Sequence, residues 1–297
     1  MIREFALDPE AVVIWTDKPT QKLVLEAFRP GSGRLPACLP NDWGKVAIAG
    51  IADQNRRKEF EVFIGTLVSR NSKRQAMAWN RKTRTWLQNA LVEHKIVPFH
   101  AIVTPTKVDD CPQAVGTDLD LENAPWNVAR TIRIPRDGQA LASTLAPMLF
   151  AARSIIILDP VFRPEFRFDN PIEHLLAACA NPNFTTEVSV LIREKDRDKP
   201  WADMSNDCER LIKLIPPKVI LNIIYVPEAS ITTRLHNRFV LAEMGGVMLG
   251  NSIDQSDGQT NDLALMDDDH FMQVLSEASS IIRGERKQCR TMRRPEK

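Results

Sequence analysis

Two side chains that can bind a phosphate group share one face of a predicted strand in the stretch 235–254. This stretch reads LHNRFVLAEMGGVMLGNSID. Its apolar runs on either side of Gly245-Gly246 predict two strands joined by a hairpin turn. Residues two apart lie on the same face of a strand, so we expect His236 and Arg238 to point the same way. The hairpin therefore presents an imidazole and a guanidinium together.

An amide joins this pair in the predicted hairpin. If the two glycines form the turn, Asn251 lies opposite Val240, on the same sheet face as Arg238 and diagonal to it. An arginine holds phosphate oxygens in its planar fork, and a histidine can attack phosphorus or move a proton. The patch therefore predicts a site for a phosphate group. The other interpretation is that His236 is a buried histidine of an ordinary hairpin.

The spacing of these residues resembles the motif of the phospholipase D superfamily. That pattern is His-x-Lys, four residues, Asp, six residues and Gly-Ser-x-Asn. In this sequence the corresponding residues are His236, Arg238, Glu243, Gly250, Asn251 and Ser252. The spacing agrees at every step, while Arg, Glu and Asn replace the family's Lys, Asp and Ser. Ile253 stands where the family has its final Asn.

The resemblance implies a metal-independent phosphodiesterase, most often a nuclease, that forms a phosphohistidine and needs no cofactor. In that family two motif copies face each other; one histidine attacks phosphorus and the other protonates the leaving oxygen. A chain with one copy reaches this arrangement as a homodimer about a twofold axis. The resemblance assigns catalysis to His236, Arg238, Asn251 and Glu243, and phosphate binding to Arg238, Gly250, Asn251 and Ser252.

The substitutions leave a second hypothesis open. Arg238 binds phosphate but cannot hand over a proton, and no acid stands in a clear position to orient His236. The domain would then be a catalytically degenerate subunit that binds phosphate or nucleic acid within a larger, possibly phage-defence, assembly. A phospholipase acting on lipids is disfavoured, because we find neither an amphipathic membrane face nor a secretion signal.

A separate cluster of basic residues lies in the segment 70–84, which reads RNSKRQAMAWNRKTR and contains no acid. Basic side chains with an interleaved aromatic suit a nucleic-acid backbone and a stacking base. The predicted contacts to DNA or RNA are Arg70, Lys73, Arg74, Trp79, Arg81, Lys82 and Arg84. The alternative is a solvated loop that Trp79 anchors to the core.

The rest of the chain predicts an α/β protein with a phospholipase D-like mixed sheet and helices on both faces. Residues 1–97 show helical spacing of apolar residues and predict a mainly helical N-terminal region. Residues 98–297 alternate strand-length apolar runs with helix-length segments. The order of elements in about 139–283 resembles one phospholipase D-like repeat. We find no second copy of the motif.

Composition excludes some classes of protein and leaves the partner open. The formal net charge is +1, so the overall charge does not indicate a polyanionic partner. No apolar run approaches the ~18 residues of a membrane span, and we expect a cytoplasmic protein. The five cysteines are scattered and form no CxxC pair, which indicates neither a disulfide framework nor a zinc site. The expected partners are nucleic acid and either a second copy of the chain or the proteins of a multi-subunit system.

Overall fold

A computed structural model of the chain describes residues 1–51, 53–120, 124–193, 200–227, 236–284 and 288–294. It divides the chain into two compact units, residues 2–129 and residues 130–297, with Met1 assigned to the second. Each unit contains a sheet and helices, so the predicted α/β class is confirmed. The observed boundary differs from the predicted one between residues 97 and 98.

The first unit is built on a parallel four-stranded sheet in the order β2-β1-β3-β4. Its strands are β1 (Arg3–Leu7), β2 (Arg34–Ala37), β3 (Ala101–Val103) and β4 (Ala114–Val115). Its helices are α1 (Pro9–Ile14), α2 (Lys18–Ala27), α3 (Trp43–Ala49), α4 (Gln54–Ser69) and α5 (Trp86–Ile96). Helices predominate in residues 1–97, but the strands β1 and β2 also lie there and were not predicted. The boundary moves because β3 pairs with β1 rather than with the second sheet.

Aspartates and a close-packed aromatic core specify this unit locally. Asp8 caps the start of α1 by accepting a hydrogen bond from the Glu10 amide at 2.9 Å, and a proline follows it, as the sequence predicts. Behind the sheet, Phe5 stacks on Trp126 with ring centroids 5.5 Å apart. The indole of Trp43 donates to the Leu7 carbonyl, so a large buried ring also ties α3 to the end of β1.

The second unit is built on an eight-stranded mixed sheet in the order β12-β8-β7-β6-β9-β10-β11-β5. The strands are β5 (Thr131–Pro135), β6 (Ser154–Leu158), β7 (Thr186–Arg193), β8 (Val219–Val226), β9 (Arg238–Ala242), β10 (Gly245–Leu249), β11 (Thr260–Leu265) and β12 (Gln288–Arg293). The helices are α6 (Gly138–Ala151), α7 (Phe166–Cys179), α8 (Trp201–Asp207), which continues as a 3-10 helix over Cys208–Leu214, and α9 (Asp268–Arg283). Strands β6, β7 and β8 are parallel, and the other pairings are antiparallel.

Both faces of the second sheet are buried, as predicted. On one face Ile156, Phe239 and Leu241 pack in a cluster with Phe271 of α9. Neighbouring residues along β6 and β9 alternate to the opposite face and are buried there as well. This double burial explains the continuous apolar strands. No helix within the described ranges is long and apolar enough to cross a membrane.

The hairpin forms, but its turn lies two residues earlier than predicted. Gly245 pairs with Ala242 and Gly246 with Leu241, so Glu243 and Met244 make the turn. The reason is close packing beneath α9. A Cβ atom on Gly246 would stand 2.6 Å from the Met266 sulfur and 2.8 Å from a Leu241 methyl carbon. The glycine therefore makes room for other side chains within the strand, rather than bending the chain.

Candidate functional site

His236 and Arg238 lie at the edge of the second sheet where β6 and β7 end. Arg238 begins β9, and β9 runs antiparallel to β6, which brings the start of one strand beside the end of the other. Arg238 pairs with Leu249 in β10, and the ladder ends there, because His236 and Asn251 lie outside the two strands. Val240 pairs with Val247 rather than lying opposite Asn251, and the Asn251 side chain is bonded to Thr260. The carboxyl edge of parallel strands is a common place for ligand sites.

A buried carboxylate that sequence reasoning missed connects the site. Asp159 follows β6 and is fully buried. Its Oδ1 atom lies 3.8 Å from Nε of Arg238, whose side chain is 29% exposed. Its Oδ2 atom accepts from the Ser252 hydroxyl at 2.6 Å and from the Ile253 amide at 2.9 Å. Asp159 therefore joins the ends of β6 and β9 to the loop after β10.

The imidazole of His236 contacts an arginine. Nη1 of Arg193, the last residue of β7, lies 2.8 Å from Nδ1 of His236. A guanidinium can only donate hydrogen bonds, so Nδ1 must be the acceptor. A neutral ring in this arrangement carries its proton on Nε2. His236 is exposed, so this Nε2–H group is a donor available to a ligand.

Further arginines line the same edge. Arg163, in the loop after β6, donates from Nη2 to the Arg193 carbonyl at 3.1 Å. Asp254, in the loop after β10, pairs with Arg136 at 2.5 Å and with Arg167 at 3.7 Å. Among the described residues of this edge, several arginines therefore lie beside two buried aspartates, and Glu165 also pairs with Arg167 at 3.3 Å. The sequence signal was weak, because these residues are scattered over more than a hundred positions.

The polar groups of Gly250, Asn251 and Ser252 form hydrogen bonds within the protein that fix the loop after β10. The backbone amide of Gly250 donates to the Asp262 carbonyl at 2.8 Å. Asn251 donates from its backbone amide to Asn261 at 2.8 Å and from its side chain to the Thr260 carbonyl at 3.2 Å. The Ser252 hydroxyl is buried and turned toward the carboxylate beside Arg238. Of the four predicted phosphate ligands, Arg238 therefore has the only charged side chain, and it is 29% exposed.

Glu243 does not belong to this site. It lies in the turn after β9, at the opposite end of the strand from Arg238. Its Oε1 atom accepts hydrogen bonds from the backbone amides of Arg153 at 3.0 Å and Ser154 at 2.9 Å. It follows the arginine by five positions along β9, a distance of ~16 Å at strand rise. Glu243 thus fixes the start of β6, and the predicted catalytic role has no geometric basis.

The first three predicted nucleic-acid contacts serve the fold of the first unit. Arg70 donates to the Leu25 carbonyl at 2.6 Å, and the ammonium of Lys73 lies over the carbonyl end of α4. Arg74 is buried, pairs with the buried Glu4 at 3.2 Å and stacks over the Phe99 ring at 3.9 Å. These side chains connect a loop to its own unit.

The remaining residues of segment 70–84 are divided between packing and solvent. The indole of Trp79 packs in a cluster with the aromatic and aliphatic residues of α5. Arg81 forms a two-point ion pair with Asp42. Lys82 and Arg84 are exposed, and Arg84 donates to a carbonyl of its own loop. The geometry matches the anchored, solvated loop more closely than a nucleic-acid surface.

Comparison with known protein families and with curated proteins identified no relative of this chain. Among the described residues, no group of three or more His, Cys, Asp or Glu side chains is arranged to hold a metal ion. The chemistry of the site therefore has to be inferred from its own residues.

Proposed function

We propose that residues 130–297 form a phospholipase D-like domain that binds a phosphate group of a phosphodiester without forming a phosphohistidine. The order of elements supports the family assignment. Alternating strands and helices lead through β8 to a hairpin that carries the His-x-Arg and Gly-Asn-Ser residues at the carboxyl edge of the parallel strands. The resemblance of the motif and this order are independent of each other.

The contact between Arg193 and Nδ1 of His236 is the observation that carries the proposal. A nitrogen that attacks phosphorus needs a free lone pair. With Nδ1 occupied by a guanidinium donor, the proton of a neutral ring sits on Nε2, which leaves no lone pair there. An activated histidine has the opposite arrangement, in which Nδ1–H donates to an acid. Nε2 of His236 is therefore a hydrogen-bond donor and not a nucleophile.

The donors at this edge are of the kind that bind an anion. The Nε2–H of His236 and the guanidinium groups of Arg193 and Arg238 face the same edge of the sheet. Hydrogen bonds from charged donors to phosphate oxygens are shorter and stronger than neutral ones. Asp159 lies 3.8 Å from the buried Nε of Arg238, while 29% of the Arg238 side chain is exposed to solvent. The site therefore binds phosphate more readily than it activates a nucleophile.

The homodimeric nuclease and the subunit of a larger assembly stay predictions that follow from the family resemblance. A twofold axis through this edge would bring two copies of His236 together. Cleavage would then require each imidazole to exchange its Arg193 contact for an acid partner. That the phosphate belongs to a nucleic acid is likewise a proposal that follows from the family resemblance.

The binding test compares single substitutions by titration calorimetry with inorganic phosphate and a short single-stranded oligonucleotide. Arg238→Ala should weaken both affinities about tenfold or more, since a charged donor is lost. Arg133→Ala is the matched control, because that arginine is 69% exposed and pairs with Asp262 on the outer strands. It should leave both affinities unchanged. Equal affinity of wild type and Arg238→Ala would contradict the proposal.

The activity test measures cleavage of the same oligonucleotide in the presence of a chelator. We expect no turnover from the purified protein, and none from His236→Asn. Metal-independent cleavage that His236→Asn abolishes would establish the nuclease prediction and overturn the binding-only proposal. Arg193→Glu offers an acid in place of the guanidinium, so a gain of cleavage in that variant would show that the histidine lacks only its orienting partner.

A further inference from the structure

Phe166 is the most exposed of the large hydrophobic side chains described, at 83% of its surface. It is the first residue of α7 and lies seven positions after Asp159. Single exposed apolar residues are common on protein surfaces. The position of this one is informative, because the loop that precedes it contributes to the phosphate-binding edge.

The ring of Phe166 is held from one side. The guanidinium carbon of Arg210 lies 4.8 Å from the ring centroid. Arg210 is itself fixed by Asp169, with Nε 3.0 and 3.2 Å from the two carboxylate oxygens. A guanidinium over an aromatic face is an attractive arrangement. The contact orients the ring, while most of its surface stays open to solvent.

Contacts on both sides connect Phe166 to the phosphate site. Three residues before it, Arg163 donates to the carbonyl of Arg193. Directly after it, Arg167 lies 3.7 Å from Asp254 in the loop that follows Asn251. Three residues of extended chain span at most about 11 Å, so the ring lies within reach of a ligand a few nucleotides long.

Resting on the proposed function, we propose that the ligand is a single-stranded nucleic acid. Its phosphate binds at Arg193, Arg238 and His236, and a base of a neighbouring nucleotide stacks on Phe166. Open aromatic side chains beside basic ones are typical of proteins that bind unpaired bases without regard to sequence. A duplex keeps its bases inside and cannot stack on this ring. Inorganic phosphate and a phospholipid headgroup offer no base.

The test distinguishes the contribution of the base to binding from that of the phosphate backbone. Fluorescence anisotropy is measured with a labelled oligothymidylate and with an abasic chain of the same length, both in chelator. Phe166→Ala should weaken binding of the oligothymidylate about tenfold, the usual effect of losing one stacking partner, and leave the abasic chain unaffected. Phe166→Trp should restore the affinity, because it keeps an aromatic face. Met272→Ala, which removes a side chain 59% exposed on α9, is the control and should change neither affinity.

Each other outcome has a distinct meaning. If Phe166→Ala binds both probes like wild type while Arg238→Ala loses both, the phosphate site stands and base stacking is overturned. If Arg238→Ala also leaves both affinities unchanged, the proposed function itself fails. Binding to vesicles of phosphatidylserine is measured as a third probe. A loss of vesicle binding in Phe166→Ala, with no change in oligothymidylate binding, would overturn the nucleic-acid assignment in favour of a lipid surface.

Discussion

Asp159 shows how one buried carboxylate can organise a site whose ligand-binding groups come from separate strands. It contacts the guanidinium of Arg238, the hydroxyl of Ser252 and two backbone amides, those of Val161 and Ile253. The hydroxyl and the two amides would be costly to bury without an acceptor, while the contact with Nε of Arg238, at 3.8 Å, is an ion pair without a hydrogen bond. The carboxylate is therefore required for the fold of the loop as well as for the orientation of Arg238.

Asp159→Asn should lower both stability and phosphate affinity. An amide keeps one acceptor oxygen but places an NH₂ group against donors, so at least one buried contact becomes repulsive. We expect the free energy of unfolding of the second unit to fall by about 1–3 kcal/mol. We also expect phosphate to bind several-fold more weakly, because Arg238 is no longer held. Chemical denaturation and calorimetry measure the two effects.

Asp262→Asn is the control for that substitution. Asp262 also pairs with an arginine, but the two side chains are 62% and 69% exposed. An exposed ion pair contributes about 0–1 kcal/mol, so this variant should unfold nearly like wild type. If the two variants proved equally stable, Asp159 would not have the positioning role described above.

Asp8 gives the first unit a predictable dependence on pH. Burial raises the pKa of its carboxyl from 3.8 to about 6, against the opposing hydrogen bond from the Glu10 amide. A raised pKa means that the folded state binds the proton more tightly than the unfolded chain. The contribution of Asp8 to stability is therefore fully present below pH 4, falls as the pH rises to about 6, and is constant above that.

Asp8→Asn should remove this dependence, because the amide keeps the capping oxygen and carries no charge. The variant should match wild type near pH 3 and be more stable by about 2–3 kcal/mol above pH 6, as two units of pKa imply. Asp17→Asn is the control of opposite sign. Its hydrogen bond with Thr20 lowers the pKa of the Asp17 carboxyl, so loss of that charge should cost stability at neutral pH. Denaturation of the first unit at several pH values measures both; a constant gain for Asp8→Asn would contradict the assignment.

At the level of elements, the two glycines of the hairpin separate what the sequence indicates from what packing decides. The apolar runs correctly predict the antiparallel strands β9 and β10. The predicted position of the turn was wrong by two residues. A glycine is needed at 246 because the side chains of Met266 and Phe271 leave no room for a Cβ atom, and not because the backbone turns there. Sequence spacing alone does not distinguish these two uses of glycine.

Gly246→Ala should destabilise the second unit without altering the turn. The added methyl group would lie 2.6–2.9 Å from three side-chain atoms, so neighbouring groups must move. Overpacking of this kind costs about 1–3 kcal/mol. Gly65→Ala is the control, since no atom lies within 4 Å of the new methyl group in the middle of α4. That variant should be slightly more stable, because alanine favours a helix; a loss of stability there, or none for Gly246→Ala, in thermal unfolding would contradict the packing account.

Predictions of elements succeeded where the apolar pattern was long. The sequence 219–226, VILNIIYV, is one continuous apolar run, and it coincides with strand β8 because both faces of that strand are buried. Strands β1 and β2 were missed because they have five and four residues, and β2 contains a proline. Pro171 is typical of a helix start, yet it lies inside α7, which begins five residues earlier at Phe166.

Predictions of the site depended on whether contacts were local. The spacing of His236 and Arg238 predicted two side chains on one strand face, but β9 begins at Arg238 and His236 precedes the strand. Asp159 and Arg193 come from other strands, and only the order of strands in the sheet brings them to the site. The basic segment 70–84 shows the opposite error, because composition does not reveal that Arg74 is buried against Glu4. Residue type indicates chemistry, while tertiary contacts decide which groups remain available.

At the scale of the whole molecule, each unit has its own sheet and its own hydrophobic core. The core of the first unit contains Phe5, Trp43 and Phe63, and that of the second contains Ile156 and Phe239. Units of roughly 130 and 170 residues are large enough to bury a core independently. The groups assigned to phosphate binding all lie in the second unit. Binding and folding of that unit should therefore not require the first.

Residues 130–297, expressed with a starting methionine, should fold alone and bind phosphate with the affinity of the full chain. Circular dichroism should give one cooperative unfolding transition for this fragment, at the position of one transition of the full protein. Fragment 2–129 is the matched control, because it contains the basic segment 70–84. We expect it to fold and not to bind the oligonucleotide, since its arginines are used within the unit. Retained oligonucleotide affinity in fragment 2–129, with loss in 130–297, would return the nucleic-acid contact to the basic segment.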